Sequence, residues 1–242
     1  MEWRDEGVLL SVRKHGEGSA IIEVFTKRHG RHAGLVRGGG ARKMAPILQP
    51  GAQLSVEWKA RLEDHLGSYT VDPIKSRAVQ IMGDRGALAA MGMVSALLCL
   101  GLPEREENTS LYARTIDLVD ALGEAADWPA RYALWENALL ADMGFGLDLT
   151  QCAATGVTQD LIYVSPRSGR AVSREGGKEF ADLMLPLPRF LRMDDPIEET
   201  APVIEALRTT GHFIETWLMP ALGRNKSPSA RERLIAALKR EG

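Results

Sequence analysis

Apolar and polar residues alternate in short runs through the first 80 positions. EGVLLSVRK, SAIIEVFT, GRHAGLVRG, QLSVEWKAR and SYTVDPIKS are rich in β-branched or aromatic residues and are separated by Gly and Pro, the pattern of strands joined by turns. Five short strands with no helical period among them predict a small antiparallel β-barrel, and an OB-fold is the simplest barrel of that size. Between the third and fourth runs, GGGARKMAPILQPG predicts a mobile loop that projects Arg42 and Lys43, with Pro46 and Pro50 stiffening its return.

From about Asp84 the period becomes helical. RGALAAMGMVSALLCLGL, NTSLYARTIDLVDALGE and DWPARYALWENALLADMGF each repeat apolar residues at three-to-four spacing, which predicts helices packed as a bundle. Pro103 stops the first, Asn108 or Thr109 caps the second, and Asp127 precedes Trp128–Pro129 at the entry to the third. Helical pattern returns over Ala201–Leu222 and again from Ser229, where Ser229 and Glu232 have capping-box spacing. Between the third and fourth long helices lies a 33-residue excursion, FGLDLTQCAATGVTQDLIYVSPRSGRAVSREGG, longer than an ordinary connector. DLIYV and RAVS flanking the turn SPRSG predict a small hairpin there. The predicted fold class is therefore α+β. A five-stranded barrel over residues 1–80 precedes a helical domain over 81–242, into which a hairpin subdomain is inserted at about 145–177.

Charge sharpens this division. Residues 1–80 hold 13 Lys/Arg against 9 Asp/Glu, whereas the remainder holds 17 against 23. Between Arg13 and Lys43 eight cations and three histidines face only Glu17 and Glu23. Such a surface suits a polyanion, although Lys and Arg also serve simply to solvate strand edges. Arg13, Lys14, Arg28, Arg31, Arg37, Arg42 and Lys43 are the candidate phosphate contacts, with steep salt dependence and weak sequence preference expected. Trp3, Phe25, Trp58 and Tyr69 are possible base-stacking platforms, with core burial as the alternative, and Phe25 is expected in the core.

Other chemistry finds little support. Four of the five histidines lie in the barrel segment, so no Cys–His or Ser–His–Asp set assembles, and they are expected to tune charge. The pairs Glu106–Glu107, Asp194–Asp195 and Glu198–Glu199 sit at loop-to-helix boundaries, where helix capping accounts for them. Neither GxxxxGK[ST] nor a strand-bound GxGxxG is present. In the hairpin loop Cys152 has Thr155 where a CxxC partner would stand, so no zinc or other cofactor is expected. Cys99 and Cys152 are expected as free thiols. No basic leader with an apolar core and no apolar run of about 18 residues occurs, so a soluble cytoplasmic protein without a membrane segment is expected.

The order of these parts resembles the RecO family of bacterial DNA repair and recombination mediators. The resemblance rests on the segment from Glu17 to Arg31, on the Gly-rich basic loop Gly38–Lys43, and on the block from Thr155 through DLIYVSPRSGRAVS. It implies an OB-fold that binds single- and double-stranded DNA and anneals complementary strands. It further implies help in loading the recombinase onto DNA coated by single-stranded-DNA-binding protein. RecR and the acidic C-terminal tail of the coating protein would be its protein partners, and nucleoid association would follow. In some relatives the loop after the third helix carries four zinc-binding cysteines. Here only Cys152 matches, with Thr155 and Ser173 at positions that are Cys elsewhere, giving a zinc-knuckle-like loop without the ligand set. An apolar pocket rimmed by cations on the helical domain would suit the acidic tail, and Arg114, Arg131, Arg208 and Arg224 are available for it. Outside the resemblance, an OB-fold RNA-binding or ribosome-associated module, a dispersed-site hydrolase and a protein scaffold remain the other classes.

Overall fold

The computed structural model describes residues 1–192 and 200–241. The pairs Asp194–Asp195 and Glu198–Glu199 fall outside the described residues. Two compact units divide the chain, Met1–Glu124 and Ala125 onward, so the sheet built by the first 80 residues shares its unit with three helices.

Five strands open the first unit: β1 (Glu2–His15), β2 (Ser19–Thr26), β3 (Gly30–Val36), β4 (Gln53–Lys59) and β5 (Ser68–Lys75). Alternation does what the pattern predicts, since Ala20, Ile22 and Val24 of β2 point inward and meet Leu9, Val36, Leu54, Val56, Trp58 and Tyr69 in one core. The 14-residue β1 pairs β4 along its first half and β2 along its second. A register shift between Leu9 and Ser11 lets one strand bend between two neighbours. The strand order β1-β2-β3-β5-β4 then closes on itself.

One seam corrects the expectation of a wholly antiparallel sheet, because β3 and β5 run parallel where Leu35 meets Ser68. The reason is parity. Alternating directions cannot close a ring of five strands, so one adjacent pair must point the same way.

Three helices complete this unit: α1 (Ala78–Gly83), α2 (Arg85–Gly101) and α3 (Thr109–Ala121). Asp84 caps α2 by accepting from the Ala87 N–H, and Asn108 rather than Thr109 caps α3 by accepting from the Leu111 N–H. Asp120 of α3 accepts from Lys75 and from the buried Arg77, which also donates to the Gly51 carbonyl. That cluster pins α3 to the strands. The turn after α2 is pinned too: Arg105, at φ +67°, donates its backbone N–H to the Arg31 carbonyl at 2.8 Å.

The second unit contains α4 (Trp128–Asp142), β6 (Leu161–Val164), β7 (Ala171–Ser173), β8 (Leu185–Pro186), α5 (Thr200–Phe213), α6 (Met219–Ala221) and α7 (Ala230–Glu241). A turn of π-helix over Ile214–Leu218 joins α5 to α6. Asp127 meets Arg131 one turn into α4. The Ser229 hydroxyl accepts from the Arg233 guanidinium at 3.1 Å. The hairpin strands β6 and β7 pair antiparallel, and β8 adds a third strand beside β6. Cys152 is the hub of the preceding loop, its Sγ taking the Ser173 N–H at 3.2 Å and the Ser173 hydroxyl at 3.4 Å. A structural zinc would need four Cys or His ligands in tetrahedral array. Among the described residues one thiol with the hydroxyls of Thr155 and Ser173 does not make that ligand set. Among the described residues, no helix is long and apolar enough to cross a membrane.

Candidate nucleic-acid interface

Strand register decides which of the seven candidate cations stand together. Arg13 lies opposite Ile21 and Lys14 opposite Ala20, while Ala20 lies opposite Val36, the residue before Arg37. The Gly40 N–H donates to the Gly18 carbonyl at 3.1 Å, tying the glycine loop to the β1–β2 turn. Arg42 and Lys43 follow directly in a 3-10 turn. Five cations are thereby gathered at one end of the barrel. Arg13, Lys14, Arg37, Arg42 and Lys43 are all exposed, and none forms an ion pair among the described residues.

Arg28 stands at the other end of β2, about 25 Å away for eight residues at roughly 3.3 Å each. Its backbone N–H donates to Asp5 Oδ2 at 2.8 Å and its guanidinium to the Arg4 carbonyl, yet its side chain keeps 64% exposure. Burial pushes the Asp5 carboxyl up, but hydrogen bonds from the Arg28 and Glu6 N–H groups and the His29 ring outweigh it and hold the group below its ordinary value.

Arg31 is engaged inside the unit. Only 12% of its side chain is exposed, and the guanidinium binds Glu23 at 2.6 Å, Glu104 at 3.4 Å and the Leu102 carbonyl. Its charge serves the junction of β3 with the turn after α2. The four helical-domain candidates lie on different elements: Arg114 on α3 of the first unit, and Arg131 on α4, Arg208 on α5 and Arg224 after α6 in the second.

Among the four aromatic candidates burial is decisive. Phe25, Trp58 and Tyr69 are in the interior, and Trp3 alone of these is partly exposed. Trp3 stacks on His29 with centroids 4.0 Å apart and planes 6° apart, and on Trp58 at 5.7 Å. Arg105 lies 5.9 Å over the Trp58 ring. No sequence signal marks Arg105, because it reaches these rings only through the docked turn after α2.

His32, 2% exposed, completes the ring cluster. Burial, with the positive charges of Arg105 and His29 adding to it, lowers this imidazole from 6.5 to about 4 although the Ala33 carbonyl accepts its proton. The unfolded chain therefore takes up a proton near pH 6.5 that the folded chain refuses until about pH 4. Stability is full above pH 6.5 and falls as the pH drops through that window, by up to about 3 kcal/mol. Urea denaturation of wild type and His32→Phe from pH 7.5 to 4.5 checks this. The variant should lose most of the slope that the imidazole contributes, and equal slopes would refute the assignment.

Comparison with known proteins agrees with this architecture. Residues 1–77 match the family model "Recombination protein O N terminal", and residues 82–226 match "Recombination protein O C terminal". Curated relatives called DNA repair protein RecO are similar over their full length. That of Ruegeria sp. (strain TM1040) is 55% identical over 99% of both chains. The corresponding figure for Dinoroseobacter shibae is 54%, and for Cereibacter sphaeroides (strain KD131) 52%, each again over 99% of both chains. With both halves matched in order and full-length identity above half, the chain belongs to the RecO family of DNA repair and recombination proteins.

Proposed function

We propose that this protein is a non-enzymatic mediator that binds single- and double-stranded DNA through an OB-fold barrel and anneals complementary strands. It helps load the recombinase onto single-stranded DNA coated by single-stranded-DNA-binding protein, with RecR and the acidic tail of the coating protein as partners, at the bacterial nucleoid. Residues 1–80 act as the nucleic-acid-binding domain and 81–242 as the helical domain. The observation that carries this reading is the end of the barrel bearing Arg13, Lys14, Arg37, Arg42 and Lys43, five exposed cations without ion-pair partners among the described residues. Annealing requires no bond to break. It requires a cationic surface that screens the repulsion between two phosphate backbones, which such a cluster supplies. The acidic tail would take Arg114, Arg131, Arg208 or Arg224.

Fluorescence anisotropy of a labelled single-stranded oligonucleotide across a salt series tests this. Wild type should show a steep fall of affinity with salt, and Arg42→Glu/Lys43→Glu should flatten the slope by about 2 and weaken binding at least about tenfold. Unchanged binding in the variant would remove the cluster from the interface. Preference for structured RNA over the oligonucleotide would favour an RNA-binding role instead.

A further inference from the structure

At the end of the barrel away from the five clustered cations, a cleft of about 340 Å³ is lined by Trp3, Arg28, His29, His32, Trp58 and Arg105, together with Met1 and the acidic Glu2 and Glu63. Its size is that of a small-ligand site, and its lining is chemically specific. Trp3 lies between His29 and Trp58 in a parallel ring stack whose partly exposed end is His29, a surface on which a planar heterocycle packs. Two guanidinium groups flank it. Arg28 is largely exposed, and Arg105 donates to the Glu63 and His65 carbonyls while its buried Nε–H has no partner.

His32 adds a directional group. Its Nδ1 lies 2.9 Å from the Ala33 carbonyl, and a carbonyl oxygen only accepts, so Nδ1 carries the proton. Nε2 then presents a lone pair, and no donor meets it among the described residues. His32 lines the cleft, so this lone pair can take an N–H from whatever fills it.

We propose that this cleft holds one unpaired nucleotide of a single strand, its base on the His29 end of the ring stack that Trp3 backs and donating an N–H to His32 Nε2, its phosphate on Arg28 and Arg105. The proposal rests on the DNA-binding reading above but concerns a separate surface and a separate contribution to binding. The basic end takes phosphates whether or not bases are present, whereas the cleft requires a base. A peptide carboxylate would satisfy the guanidinium groups but offers no flat heterocycle for the rings.

The test compares oligo(dT) with an abasic strand of equal length and phosphate number, by anisotropy, on the full chain. Wild type should prefer oligo(dT) about tenfold or more, as expected for a stacked base. Trp3→Ala should lose that preference and leave abasic-strand binding unchanged. His32→Phe, which keeps a ring and removes the lone pair, should reduce the preference even where Trp3→Ala folds poorly. Equal binding of both strands by wild type, or a proportional loss on both strands in the variants, would overturn the assignment. Free thymidine monophosphate competing as well as the strand would make this a mononucleotide site and overturn the strand assignment. Displacement of the base by an Asp/Glu-rich peptide at lower concentration than the strand requires would do the same in favour of a peptide. Absence of binding to either strand at low salt would instead remove the DNA-binding reading itself.

Discussion

Glu136→Ala is expected to destabilise the second unit by about 3–5 kcal/mol, the cost of leaving a buried charge without its partner. Glu136 on α4 is fully buried and Arg231 on α7 is 4% exposed. The Glu136 carboxylate receives the Arg231 guanidinium, the Tyr132 hydroxyl at 2.7 Å and the Thr210 hydroxyl of α5. Arg231 also donates to the Leu207 carbonyl. One carboxylate thus joins three helices, and removing it leaves the Arg231 guanidinium without its counter-charge and the Tyr132 hydroxyl without its acceptor, while Thr210 keeps only the Ala206 carbonyl. Urea denaturation measures the loss. The double variant Glu136→Leu/Arg231→Met should lose clearly less than the sum of the singles, because it removes both charges together. A single-variant cost under about 1 kcal/mol would mean that the pair is hydrated and the network contributes little.

Gly30→Ala should be comparably damaging, at least about 3 kcal/mol, by a different route. Gly30 closes the three-residue turn between β2 and β3 at φ +59°, where an L side chain costs about 1–3 kcal/mol. A Cβ there would also stand 1.9 Å from the Glu106 carbonyl oxygen. That carbonyl belongs to the docked turn that carries Glu104 onto Arg31 and Arg105 onto Trp58, so relief of the clash must displace the turn. The control is Gly18→Ala, where a Cβ meets nothing within 4 Å and stability should change by less than about 1 kcal/mol. Equal thermal midpoints for the two variants would refute this account. The His-Gly-Arg triplet at residues 29–31 accordingly has three tasks: a ring in the aromatic stack, a left-handed turn and an internal ion pair.

The strands were legible because period-two alternation maps directly onto burial, as Ala20, Ile22 and Val24 illustrate. The helices were legible from caps and stops such as Asn108 and Pro103. The hairpin was legible as well, since Leu161–Val164 and Ala171–Ser173 flank the turn where alternation and Gly placed it. Less legible was the grouping of the cations. Arg31 and Arg37 look alike along the chain, yet one is held by Glu23 and Glu104 while the other is exposed at the glycine loop. Trp58 sits in a predicted strand and Trp3 ahead of the first one; the fold sets them opposite each other in β4 and β1 and buries only Trp58.

Sequence by itself determined the elements, the excess of positive charge near the start and the family, because local periodicity, turn chemistry and motif order are properties of neighbours in the chain. Tertiary structure alone decided which cations share a surface, which aromatic ring reaches solvent, and that Arg105 joins Trp3, His29, His32 and Trp58. Those outcomes depend on strand register, on the parallel seam that an odd number of strands imposes, and on a turn docked against residues more than seventy positions earlier.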